Sequence, residues 1–434
     1  MKGELGLLKH FRILLALGLL TRFALSFWTG HPWDFEVFIR VGYHVAHGAS
    51  LFQSKNYYVT GLGQPIFPHV TGLGYLPAWG LYTAFAYTVY QSFPLSPFLY
   101  YFILKLPLIL GDLATTYIIF LLTLNFTHDI EKAKRNSLIF FLCPFVIFIS
   151  SIWGMFDAIP VSFTIFSIFL LLLGKIYWSA LSLGLGIYFK VIPIIYLPIQ
   201  FLFISRKRGI VDAIIHFLIS SIVPFVLTLV PVILFGWEFS KSMITVFSQT
   251  QKPGDVLTYW NISALLNDLF PSFFSAELLN SLFSFPPIRY LWILGLIVAY
   301  LLYYEHWNKL PEDNVENAKS LLTGFSFVTI GFLLTRTFIP EQFVLYLLPT
   351  IVVSTKISIH RYYRYIWILA LSFALVNIYP FTFAYLLNAN FWNVFNYLAT
   401  TPPFSTLRYI ARFIMALLFD YCLLKLFMNM VRER

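Results

Sequence analysis

Five short segments of this chain carry side chains able to do chemistry. The first is Trp33-Asp34-Phe35-Glu36-Val37-Phe38, directly after an N-terminal apolar run. A carboxylate pair at the mouth of a membrane protein offers a general base beside a lipid-borne substrate. The plainer alternative makes Asp34 the N-cap of an interfacial helix reaching Gly48, with Glu36 favoured by the helix dipole. The second is Asp112, a carboxylate inside an apolar run, which must face a cavity or an ionic partner such as Lys105. The third, Trp153-Gly154-Met155-Phe156-Asp157-Ala158-Ile159-Pro160, interrupts two apolar runs. Irregular backbone at membrane depth is tolerated where it lines a cavity, the alternative being an ordinary turn anchored by Trp153. The fourth is Lys190, the only charge between Lys175 and Arg206. If two helices turn there its ammonium can hold a phosphate; on one continuous helix it would snorkel. The fifth, Leu334 to Phe343, contains Arg336, Glu341 and Gln342. Arg336 offers a planar fork for phosphate, the alternative being a surface pair with Glu341.

The elements that must position these groups follow from composition. Of 434 residues, 59% are hydrophobic and only 11% charged, where a soluble chain carries about 25% charged residues. A soluble enzyme, a disordered protein and a coiled coil are excluded. Apolar runs at about 11–28, 72–91, 98–126, 137–152, 159–174, 177–189, 191–204, 211–236, 288–304, 321–337, 343–355, 365–388 and 406–427 predict an all-α, polytopic transmembrane bundle of about 12 to 13 segments. It forms one integral membrane domain, 1–434, with large outer loops at 29–71 and 237–287. Residues 177–204 read as two helices turning at Lys190, and Asp420 with Lys425 as a structural pair.

The net charge of +10 comes from clusters between apolar runs, Lys132 to Arg135, Arg206 to Arg208, Lys309 with Lys319, Lys356 to Arg364, and Arg432 with Arg434. That pattern marks cytoplasmic loops and not nucleic-acid binding. It puts Asp157, Lys190 and Glu341 outside, on the side of Asp34, provided that 72–91 lies in the interface or re-enters. Cys143 and Cys422 both lie in apolar runs, so no disulfide framework exists. Loop 29–71 holds His31, His44, His47 and His69. His44 and His47 have metal-compatible spacing but no evident third ligand, so no metal or other cofactor is assigned.

In order and character these segments resemble the GT-C superfamily of membrane glycosyltransferases, in its polyprenyl-phosphate-mannose-dependent branch, which includes the first GPI mannosyltransferase and bacterial α-mannosyltransferases. Asp34 to Phe38 with Gly48-Ala49-Ser50-Leu51-Phe52 resembles the acidic motif of the first outer loop and the "G-x-x-P-Y" after it. Lys105-Leu106-Pro107 with Asp112 is similar to the third-span signature, and Cys143-Pro144 through Trp153-Gly154 and Asp157 to "N-P…W-G-x-x-D". Phe189-Lys190 with Pro193 is similar to "K-x-x-P", and Glu341-Gln342 before Leu345 to Pro349 to the late "Q-Y-x-x-W-x-x-P". The family's "Y-P-P" is replaced by Phe67-Pro68-His69, and the last tryptophan is absent.

The resemblance implies a GT-C-like bundle with Asp34 as catalytic acid of the first outer loop and Glu36 as second choice. It implies Lys190 and Arg336 on the donor phosphate, and Asp112, Asp157, His69, Glu341 and Gln342 in support. The implied reaction moves a hexose, mannose by the family's habit, from polyprenyl phosphate to a lipid or lipid-linked glycan with inversion. The place is the outer face of the cell membrane, or the endoplasmic reticulum membrane in a eukaryote. A transporter or lipid flippase would use the same buried charges without an outer-loop acid. A scaffold subunit of a glycan-assembly complex would not depend on Asp34 for activity.

Overall fold

The computed structural model describes residues 2–51, 75–93, 96–237, 256–308, 314–354, 357–388 and 390–432. Residues 52–71 of loop 29–71, with Phe67, Pro68 and His69, and the first part of loop 237–287 lie outside the described residues.

Helix is the only regular structure among the described residues, as expected of backbone that meets lipid and must satisfy its own N–H and C=O groups. The first half comprises α1 (Lys2–Ser26), α2 (Asp34–Ala46), α3 (Pro77–Ser92), α4 (Pro97–Thr127), α5 (Ile130–Phe141) and a short α6 (Pro144–Ile147). After a π-type turn, Phe148–Trp153, come α7 (Ala158–Leu172), α8 (Ile176–Phe189), α9 (Leu197–Lys207) and α10 (Ile210–Phe235). The second half is built on α11 (Ile262–Leu269), α12 (Leu291–Asn308), α13 (Asn314–Thr335), α14 (Leu348–Val353), α15 (Ile357–Asn377) and α16 (Phe404–Arg432).

Local chemistry sets the boundaries. Ser96 accepts the amide of Phe98 and Pro97 opens α4, where a missing N–H costs nothing. The helix stops at His128, which takes a left-handed φ of 51°. Asp129 then caps α5 by accepting the amides of Glu131 and Lys132. The predicted turn at Lys190 is present: α8 ends at Phe189 and a 3-10 turn, Ile192–Tyr196, leads into α9.

Three described helices are long and apolar enough to cross a membrane: α4, α10 and the Asn317–Thr335 part of α13. Ile130–Phe141 and Pro144–Trp153 make a fourth if the pair, bent by 47°, is one span. Of the other expected runs, α7, α8 and α12 are shorter apolar helices, while α1, α15 and α16 are unbroken helices of 25, 21 and 29 residues. The 72–91 run yields α3, whose 16 residues reach about 24 Å, short of the roughly 30 Å hydrocarbon layer. Helices pack as neighbouring pairs, α2 on α3, α7 on α8, α8 on α10, α12 on α13 and α15 on α16. Large apolar side chains such as Val211, Ile233 and Leu234 stay exposed, which suits lipid and not water.

Two expected ion pairs are replaced. Asp112 does not pair with Lys105; its Oδ2 meets Arg22 Nε of α1 at 3.0 Å and accepts from Ser150 Oγ at 2.7 Å. Two helical turns separate Lys105 from Asp112, about 10 Å along the axis. Lys105 serves the start of the first loop instead, donating to the Thr29 carbonyl, to Thr29 Oγ1 and to the Ser151 carbonyl. Asp420 accepts the amide of Tyr259 at 2.6 Å, while the Lys425 ammonium lies over the Tyr421 ring.

Candidate active site

The site is assembled where α2, α7, the end of α8 and the segment after α13 meet. Its base is the π-type turn. Gly154 and Met155 both donate to the Ile149 carbonyl, so the turn is one residue wider than an α-helix and leaves nearby carbonyls available. The Ser151 carbonyl takes Lys105 and Thr29 Oγ1, and the Trp153 carbonyl takes the amide of His31. Gly154 closes the turn at φ +80°, and a Cβ there would come within 2.6 Å of the Phe35 ring. Only glycine fits both conditions.

His31 is an organiser of the site. Its ring stacks on Trp153 at 4.3 Å between centroids, and its Nδ1 accepts the amides of Trp33 and Asp34 at 3.2 and 3.0 Å. The imidazole therefore does the capping that the sequence suggested for Asp34; the N-cap position itself is Trp33, whose side chain does not cap the helix. Burial depresses the His31 pKa to about 4, against the opposing pull of Asp34. The ring is neutral at ordinary pH, as an acceptor at Nδ1 must be.

Relieved of capping, the Asp34 carboxylate accepts Trp153 Nε1–H at 2.9 Å and keeps 30% of its side chain exposed. It thus remains open to a substrate. Glu36, two residues on, lies in a different contact set. It pairs with Arg40 Nε at 2.9 Å and accepts from the Tyr385 hydroxyl at 3.3 Å. Burial raises its pKa, opposed by Arg40 and Tyr385.

Asp157 and Lys190 face each other from the start of α7 and the end of α8, with Nζ donating to both carboxylate oxygens at 2.8 and 2.7 Å. Neither side chain is more than 4% exposed. The rings of Tyr75, Phe156 and Phe343 stand 5.0 to 5.3 Å from the ammonium. Arg336 approaches the same Phe343 ring, at 5.5 Å, and the Phe332 ring at 5.0 Å. Among the described residues Arg336 makes no ion pair, so the Arg336–Glu341 surface pair is not formed. Glu341 is buried and accepts from Asn377 Nδ2 at 3.3 Å, while the buried Gln342 Oε1 has no hydrogen-bond partner.

Asp34, Asp157, Lys190, Arg336 and Tyr75 are close enough for their charges to act on one another. The structure thus gathers four of the predicted residues and adds Tyr75, Phe343, His31 and Trp153. Glu36 and Asp112 lie in separate ion pairs. His44 and His47 remain apart from any ligand set: among the described residues no three His, Cys, Asp or Glu side chains gather to hold a metal. Chemically, the gathered charges consist of one neutralised pair, one cation without a carboxylate and one partly open carboxylate. No protein-family model matches the chain, and no curated protein matches it.

Proposed function

We propose that the protein is an integral membrane glycosyltransferase that moves a hexose, most economically mannose, from polyprenyl phosphate to a lipid or lipid-linked glycan. The observation that carries this reading is a buried Asp157–Lys190 pair with a partly exposed carboxylate, Asp34, and a cation without an ion pair among the described residues, Arg336, both within electrostatic reach of Lys190. A sugar phosphate needs positive charge where the phosphate leaves and a base where the acceptor arrives.

In the proposed step the Asp34 carboxylate takes the proton of an acceptor hydroxyl. The acceptor oxygen bonds to the anomeric carbon as the carbon–oxygen bond to phosphate breaks, and the bonding pair leaves on the phosphate oxygen. Attack opposite the leaving group inverts the anomeric centre. Arg336, with Lys190 steadied by Asp157, stabilises the phosphate as its charge grows. Trp153 Nε1–H fixes the Asp34 rotamer toward the site. Glu341 and Gln342 support the wall on the Arg336 side, and Asp112 supports the bundle through Arg22. No step calls for a metal or an organic cofactor. On this reading the site faces outward, as the resemblance implies.

The test is incubation of purified protein in lipid nanodiscs with radiolabelled polyprenyl-phosphate mannose and candidate lipid acceptors, beside a nucleotide-mannose control. Transfer from the lipid donor, lost in Asp34→Asn, supports the reading. Efficient transfer from the nucleotide sugar alone overturns it, as does movement of the lipid donor across a bilayer with no sugar transferred, the flippase outcome.

A further inference from the structure

A second charged cleft lies at the other end of the same helices. α7 and α8 carry Asp157 and Lys190 at one end and join at Gly174-Lys175 at the other, 15 residues away along α7 or about 22 Å. There a cleft of about 320 Å³ opens between that turn and the start of α10, lined among others by Lys175, Trp178, Arg208 and Asp212.

Its construction is specific. The turn closes on itself: Gly174 and Lys175 donate to the carbonyls of Leu171 and Leu170. The Arg208 guanidinium is therefore not required to cap α7. It nevertheless lies against the turn, because Gly174 is at φ +71° and a Cβ there would be 2.9 Å from Arg208 Nη2. Arg208 and Lys175 are exposed, and among the described residues neither makes an ion pair, not even with Asp212. α10 starts after Gly209 without a side-chain cap, so the positive end of its dipole adds to the two cations. Two cations face one carboxylate. Below them Val211, Ile214, Leu218 and Ile222 of α10 form an exposed apolar stripe, and Trp178 is 64% exposed at the rim. Such a rim suits the level where headgroups meet acyl chains.

We propose that this cleft binds the phosphate headgroup of an anionic phospholipid, with its acyl chains along the α10 stripe. Charge complementarity and the continuous apolar stripe commit it to a lipid and not to a soluble anion. The proposal is independent of the glycosyltransferase reading.

The experiment is native mass spectrometry of the full-length, detergent-solubilised protein titrated with phosphatidylglycerol, with phosphatidylcholine of the same chains, and with inorganic phosphate. Phosphatidylglycerol binds preferentially. Lys175→Gln or Arg208→Gln weakens it roughly fivefold, and the double variant about 30-fold. Asp212→Asn tightens it severalfold. Arg135→Gln, an exposed cation on α5, leaves it unchanged. Equal retention of phosphatidylcholine, inorganic phosphate competing as a free ligand, an unaffected double variant, or an equal loss in Arg135→Gln would each overturn the proposal.

Discussion

Replacing Asp157 by Asn isolates what the central ion pair does. Both side chains are nearly fully buried and the carboxylate receives two hydrogen bonds from Lys190. Removing one partner of such a pair leaves the other charge without compensation, at a cost of about 3–5 kcal/mol. Deprotonation sets a ceiling. A lysine with an ordinary pKa of about 10.4 can shed its proton at pH 7 for roughly 5 kcal/mol, so the variant cannot lose much more than that. The loss shrinks as pH rises, because the unfolded lysine then also becomes neutral. If Lys190 receives a lipid phosphate, polyprenyl phosphate at about 100 times its Kd restores some 2.7 kcal/mol to the single variant. The double variant Asp157→Asn, Lys190→Met removes both charges and recovers most of the loss, but, with only Arg336 left for the phosphate, gains less from the ligand than the single variant and transfers no sugar. Equilibrium unfolding in mixed micelles, followed by tryptophan fluorescence with and without polyprenyl phosphate, reads all three proteins. A single variant as stable as the parent, or a double variant stabilised by the ligand as much as the single, would refute the reasoning.

Asp34→Asn is expected to lower transfer by roughly two to four orders of magnitude with donor binding retained; kinetics and donor titration check it, and near-parental turnover would shift the base to Glu36. Between pH 6.5 and 4 the unfolded chain takes up a proton that folded His31 refuses. Stability is therefore present above pH 6.5 and falls through that window by up to roughly 3 kcal/mol, a slope that His31→Asn should flatten in acid titrations. Single cysteines beside Asp157 and beside Arg208 should react with an impermeant reagent from opposite faces of a sealed vesicle; labelling from one face would dissolve the site.

The legible part of this protein was its helical character and the segments where chemistry collects. The turn at Lys190 showed itself as a lone charge between two apolar runs, and Asp157, Lys190 and Arg336 as charges too costly to bury without purpose. Pairing was not legible. Asp112 lies seven residues from Lys105, yet its partner is Arg22, 90 positions away on α1, and sequence spacing carries no information about such a contact. His31 stands in the sequence as one of four loop histidines, and its place three residues before Asp34 is a usable capping signal. The bond between Trp153 and Asp34 joins residues 119 apart; its only trace was the Trp-Gly pair that interrupts an apolar run. Hydropathy alone does not count the crossings, because short buried helices are as apolar as spanning ones.

The wide turn at Phe148–Trp153 makes the site depend on how many residues are present, and not only on which ones. A helix rotates about 100° per residue. Deleting Ile152 would return the turn to ordinary helical register and swing the Trp153 indole off Asp34, while every chemical group discussed above stays in the chain. Ile152→Leu keeps the count and should be nearly silent in the transfer assay; the deletion should lose activity as Asp34→Asn does. In this stretch, counting is part of the code: a one-residue gap is a larger change than a conservative substitution at any of its positions.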